Sequence, residues 1–263
     1  MLKSRIRRAG IPSSRIDESI LLATWNVREL GKSPRGKASL HYIAEIVGQF
    51  DLVALVEVRD NLADLRETLG YLGPAWDVVY SDFVTDDGGN HERVAHVYDK
   101  RAVVFTGLAS VAEPRRVKRK NGEYLPTTAW WRRPSMASFR SGSFDFVLLT
   151  LHSRWGTTTG RAAELERIAA WVHERRNERH VEDKDIIVLG DFNIPGLRSP
   201  LYKAVTRRGL QVPTALLGIR GSNLARDTRH DQTLHDPVFT RSFGARGGVL
   251  DFHVGAHRVL YPG

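Results

Sequence analysis

The feature that most constrains this chain recurs four times: an apolar run of strand length that empties into a polar side chain. Ile186-Ile187-Val188-Leu189-Gly190 leads into Asp191-Phe192-Asn193, and Leu52-Val53-Ala54-Leu55-Val56 into Glu57. Val147-Leu148-Leu149-Thr150-Leu151 precedes His152, and Leu22-Ala23-Thr24-Trp25 precedes Asn26. Short apolar runs of this kind predict buried strands. Polar residues at their ends belong at a sheet edge, where chemistry can be assembled.

Between these runs the period changes. Leu40, Ile43, Ile46 and Val47 recur at helical spacing, the stretch 61–69 follows suit, and Ala162, Leu165, Ile168, Ala169 and Val172 mark one face of a helix. In the middle, 78–83, 94–98 and 102–105 are short and rich in β-branched and aromatic residues, which predicts strands. A basic run, Arg115 to Lys120, precedes the turn signal Asn121-Gly122. The segments 127–139 and 144–151 flank Ser141-Gly142-Ser143 as a hairpin would. There is no internal repeat, low-complexity segment or linker. The expected fold is therefore one α/β (α+β) domain over 19–263, a four-layer αββα sandwich of two packed mixed sheets flanked by helices.

Composition narrows the chemistry. With 41% hydrophobic residues among 263, the chain can bury a sizeable core. No apolar stretch approaches the roughly 20 residues of a membrane span. The absence of cysteine excludes disulfides, thiolate metal sites and cysteine nucleophiles. Residues 1–18 are basic and lack the apolar segment of a signal peptide, so a short arm and an intracellular protein are expected. The formal charge of +9 favours a polyanionic partner such as nucleic acid, although many soluble proteins are basic.

Each polar strand end admits two readings. In Asp191-Phe192-Asn193 the period of two turns both polar side chains the same way. They could orient a nucleophile and hold a phosphate, or simply cap a turn. Glu57 could bind magnesium or calcium, which prefer hard oxygen ligands, or be a solvated strand end. His152 could move a proton or be structural.

Taken together, in the order Asn, Glu, His, Asp-x-Asn, these ends resemble the endonuclease/exonuclease/phosphatase superfamily, from about residue 20 onward. Within it the chain is most similar to the deoxyribonucleases of the pancreatic type. Glu57-Val58-Arg59-Asp60, Trp25-Asn26-Val27-Arg28, Trp131-Arg132-Arg133-Pro134, His91-Glu92-Arg93 and His230-Asp231-Gln232 each resemble a functional segment of those enzymes. The resemblance implies that Glu57, with Asn26 nearby, binds Mg2+ (or Mn2+ or Ca2+). It implies that His152, held by Glu92, meets the scissile phosphate, and that Asp191 and Asn193 orient water and phosphate. Asp231 would orient a second catalytic histidine, and Arg28, Arg59 and Arg132 would hold DNA. The implied activity is nicking of double-stranded DNA by a monomer without a protein partner. The same family also hosts phosphatases and phosphodiesterases acting on other phosphoesters.

The sequence departs from that pattern at its end. The family closes on a Ser-Asp-His motif, whereas here Gly248-Val249-Leu250-Asp251-Phe252 resembles a segment preceding it. The expectation is a domain lacking its last strand, with an exposed sheet edge, a partner-free Asp231 and an inactive DNA-binding chain as one outcome. Substitution of the motif by Asp251 and His253 is the alternative. Asn90 stands where those deoxyribonucleases carry a tyrosine, and their disulfide has no counterpart.

Overall fold

A computed structural model describes residues 2–14, 19–83, 90–127, 130–241 and 243–252. The chain opens with α1 (Leu2–Ala9), β1 (Leu22–Leu30), α2 (Lys37–Val47), β2 (Leu52–Val58) and α3 (Ala63–Leu72). The strands β3 (Trp76–Tyr80), β4 (Arg93–Asp99), β5 (Val104–Val111), β6 (Arg116–Lys118), β7 (Tyr124–Pro126), β8 (Ser135–Ser141) and β9 (Phe144–His152) follow. It continues through α4 (Thr158–Asn177), β10 (Ile186–Asp191), α5 (Pro200–Thr206), α6 (Thr214–Leu217) and β11 (Asp231–Leu234).

Two mixed sheets result, ordered β1-β2-β4-β3 and β11-β10-β9-β8-β5. The pairs β1–β2 and β9–β10 are parallel, and each is joined by a crossover helix. Helices α2 and α3 cover the outer face of the first sheet through Leu40, Ile43, Val47 and Leu65. Helices α4 and α5 cover the second through Leu165, Ile168, Val172, Leu201 and Val205. The expected four-layer sandwich is the fold.

The period of two places the site. The faces that meet between the sheets carry Leu22, Thr24 and Asn26 on β1, then Phe146, Leu148, Thr150 and His152 on β9. Strand β10 contributes Ile187, Leu189 and Asp191. Each series starts apolar and ends polar. The apolar half, with Leu52, Ala54, Phe139 and Leu148, is the inter-sheet core. Burying one such leucine stabilises the fold by roughly 1.5–3 kcal/mol. The middle layer holds an inter-sheet hydrogen bond, His96 Nε2 to Thr150 Oγ1 at 2.9 Å. Burial drops the His96 imidazole to about 4, so it is neutral there.

Several boundaries differ from expectation. The segment 127–139 is not one strand: β7 ends at Pro126 and β8 begins only after Pro134, and proline cannot donate within a ladder. The strand expected over 102–105 runs instead from Val104 to Val111, on an edge where alternation is weak. The N-terminal arm contains a helix, α1, which buries Leu2 and Ile6 against Ile46 of α2. Its two apolar residues at i and i+4 are few for a periodicity signal. Near the other end, Phe252 packs edge-on against Trp25 at 5.2 Å between centroids. Among the described residues, no helix is long and apolar enough to cross a membrane.

Candidate active site

The strand ends that carry Asn26, Glu57, His152 and Asp191 converge at one end of the sandwich. Asp191 pairs in register with His152 on one side and with Asp231 on the other. Gly190 permits the close approach of β10 to β9: its φ is +131°, and a Cβ there would lie 2.0 Å from Leu151 O. Only glycine fits.

Glu57 is out of phase with its strand, since Leu52, Ala54 and Val56 share the inter-sheet face. Two irregularities re-aim it. Glu57 itself has a left-handed φ of +61°. Opposite it, β1 bulges: Asn26 pairs with Val56 and Leu30 with Val58, so three residues of β1 face one of β2. Arg28 and Glu29 in that bulge also have positive φ, and Glu29 N donates to Glu57 Oε2 at 3.1 Å. Arg35 pins the bulge by donating to Val27 O at 2.8 Å and Arg28 O at 2.5 Å. Glu57 is thus held by a strained backbone, a common mark of functional positions.

Asn26 links the two carboxylates. Its Nδ2 donates to Glu57 Oε1 at 2.6 Å and to Asp191 Oδ2 at 3.0 Å. Its Oδ1 accepts from Arg28 N at 2.8 Å, which fixes the amide's orientation. In this arrangement Asn26 positions Glu57 and Asp191, and its oxygen is already engaged. One oxygen of Asp191 caps its turn and the other is turned toward the site. Oδ1 accepts from Asn193 N at 2.8 Å, capping the turn, while Oδ2 faces Asn26. Asn193, at φ +52°, spends its Nδ2 on Ser153 O at 2.7 Å.

His152 Nδ1 meets Glu92 Oε2 at 2.7 Å, leaving Nε2 toward the site, 3.7 Å from Glu57 Oε1. Burial pushes Glu92 up. The hydrogen bond and charge of His152, with Arg132 and Asn90, outweigh this and hold the carboxyl below its ordinary value. Arg132 Nη2 lies 3.3 Å from Glu92 Oε1 and its side chain is only 12% exposed, so it buttresses Glu92. Arg59 is likewise tucked in, 3.5 Å from Glu29. Of the three arginines expected to hold a substrate, only Arg28 stands exposed without an ion pair among the described residues.

Asp231 is the anomaly. Its Oδ1 is inaccessible to solvent and, among the described residues, has no hydrogen-bond partner. Burial and the neighbouring Asp191 carboxylate push its carboxyl up to about 7, against a hydrogen bond from Ser222. Asp251, the alternative near the chain's end, is engaged elsewhere: it is half exposed and paired with Arg226. His253 lies outside the described residues.

Three residues were given no role from the sequence. Arg161 donates to Asn193 O and lies 5.3 Å from the Trp155 ring. Trp155 and Trp131 are exposed at the rim. Arg161 had a signal, because with Leu165, Ile168 and Val172 it forms one helical stripe, and a charge on an apolar stripe is worth querying. The tryptophans had none beyond their size.

The fit of a divalent cation can be judged from these donors. Among the described residues no group of three or more acidic or histidine side chains forms a metal cage. Two carboxylates, Glu57 and Asp191, nevertheless share a single amide. Mg2+ keeps several waters and takes one or two carboxylates, so this donor set suits it.

The chain belongs to the Endonuclease/Exonuclease/phosphatase family, which it matches over residues 23–260. It is 25% identical over 181 residues to deoxyribonuclease-1 of Bos taurus, covering 66% of this chain. The match spans 61% of that protein's length. Among solved structures, a mannosyl-6-phosphatase of Bacteroides thetaiotaomicron superposes with a TM-score of 0.57 at 18% identity, covering 83% of this chain and 86% of that one. A further family protein from Bacteroides thetaiotaomicron gives 0.56 at 18% identity, covering 83% and 82%. These two likenesses bear on the fold alone.

Proposed function

We propose that this chain is a magnesium-dependent phosphodiesterase that nicks double-stranded DNA. The observation that carries the reading is the opposition of two side-chain pairs across one small site, His152–Glu92 on one side and Asp191–Asp231 on the other. Hydrolysis of a diester forms one P–O bond to water and breaks another, so one proton must leave the water and one must reach the departing oxygen. Asp231, whose carboxyl burial and the neighbouring Asp191 push up and so make more basic, suits the first task. His152, oriented by Glu92 through Nδ1 so that Nε2 faces the site, suits the second. Arg28 faces solvent where a phosphate backbone would lie, and Glu57 with Asp191 would hold the cation. When bound, a divalent ion there would neutralise charge on the phosphoryl oxygens. The relation to a deoxyribonuclease and the charge of +9 support DNA over a small phosphoester.

The test is nicking of supercoiled plasmid with Mg2+ and with EDTA. Relaxed circles that form only with the metal support the reading. No nicking, alongside phosphate release from sugar phosphates, would replace it with a phosphatase. Duplex binding without any hydrolysis would make the chain a DNA-binding relic.

A further inference from the structure

The basic run of the sequence takes no part in the active site. It forms β6 and, with β7, a two-stranded sheet of its own, attached to neither layer of the sandwich. The hairpin is fixed at its tip. Gly122 N donates to Arg119 O at 2.9 Å, Arg119 N to Glu123 O at 2.7 Å, and Gly122 takes φ +88°. Asn121 clamps the single acid of the hairpin, donating to Glu123 Oε2 at 2.7 Å.

Five cations are displayed on this arm: Arg115, Arg116, Lys118, Arg119 and Lys120, all exposed. Among the described residues none is paired with a carboxylate. Some surface cations elsewhere are, as in Arg133–Glu113, Arg140–Asp145 and Arg207–Glu166, but here five unpaired cations fall within six consecutive residues. Lys118 lies opposite Tyr124, its Nζ 6.0 Å from the ring centroid, and Tyr124 is 63% exposed. An unneutralised cluster on a projecting arm carries a self-repulsion that a polyanion would relieve.

Its placement ties it to the site. The hairpin leaves the second sheet where Val111 pairs with Ser135, Ser135 pairs with Thr150, and His152 lies two residues further on. Strand β5 is two strands from β9, about 10 Å. The returning chain passes Trp131 and reaches Arg132, which meets Glu92.

We propose that the β6–β7 hairpin is a phosphate-gripping arm that holds duplex DNA on the flank of the cleaved nucleotide. This rests on the DNA-nicking reading. Interactions made equally before and during reaction lower KM and leave kcat alone. The arm therefore governs affinity and its salt dependence, while the chemical step belongs to the strand ends.

The experiment neutralises the arm in the full chain with Arg115→Gln, Arg116→Gln, Lys118→Gln, Arg119→Gln and Lys120→Gln together. A control variant changes Arg7, Arg8, Lys100, Arg179 and Lys184 to Gln, giving the same net charge. Binding of a labelled duplex in EDTA is followed across NaCl concentrations, and plasmid nicking and hydrolysis of bis-p-nitrophenyl phosphate are measured with Mg2+. The arm variant should bind about tenfold or more weakly, with a log–log salt slope reduced by about 0.9 for each phosphate that the arm no longer neutralises. Its KM for plasmid should rise with kcat kept, and small-diester hydrolysis should equal wild type. An unchanged slope and affinity, or the same weakening in the control, would overturn the arm while leaving the nuclease reading intact. Wild-type protein that neither binds nor nicks DNA would overturn both. If the fivefold variant does not fold, Lys118→Glu with Lys120→Glu serves, with the same outcomes.

Discussion

The two ends of the sandwich treat charge differently. At the end where β2 and β10 begin, the buried charges Asp51 and Arg176 have partners, although Arg176 Nε is left without one. Asp51 accepts from Ser14 Oγ at 3.0 Å and Leu21 N at 2.7 Å. Arg176, 2% exposed, pairs with Asp236 at 3.0 Å and donates to Ile186 O. At the end where those strands finish, Asp231 keeps an unpaired buried oxygen and shares its surroundings with Asp191. The backbone follows the same division. Among the described residues, the non-glycine residues with positive φ are Arg28, Glu29, Glu57, Asn90, His91, Asn193 and Arg226, and all belong to the strand ends or the segments leading into them. Strain and an unmatched charge persist only where the surrounding fold over-determines them, and that is where chemistry is expected.

The sharpest way to break this contrast is to exchange one residue at each end. His152→Ala should lower nicking by ~10²–10⁴-fold with the melting temperature nearly unchanged. Retained nicking would remove His152 from the reaction. Arg176→Ala should do the reverse. It leaves Asp236 buried without its partner and should cost about 3–5 kcal/mol in denaturant unfolding, with nicking kept below the transition. A small change would mean that the far end is not locked by this pair.

Much of this contrast was legible in the sequence, because it is written in short-range order. Apolar runs ending in Asn26, Glu57, His152 and Asp191 predicted both the strands and their shared edge. What sequence could not supply was how Glu57 reaches the site against its own alternation. That depends on a bulge in β1, a different strand that meets Glu57 only through pairing, and pairing is a tertiary fact. The tucked positions of Arg59 and Arg132 were equally hidden, since a buried and an exposed arginine look alike in a sequence. Arg161 and Arg176 could have been found, as they stand with Glu164 as three charges among the buried residues of α4.

A smaller effect sharpens the account of Asp231. Its folded carboxyl titrates at about 7 against an ordinary 3.8, so between those values the folded state holds a proton that the unfolded chain has released. Stability should therefore fall as pH rises through that window. Asp231→Asn, measured in EDTA, should stabilise the protein above pH 7, with the gain vanishing at acid pH, and should depress nicking. A gain independent of pH would show that the carboxylate is not the source.

We propose that a divalent cation on Glu57 completes the unmatched end. The most direct measurement is the change in melting temperature on titrating Mg2+ into wild type and into Glu57→Gln, which keeps the shape and removes the charge. The account predicts a saturating rise for wild type and none, or a far weaker one, for the variant. Equal rises in both would place the metal elsewhere and contradict it.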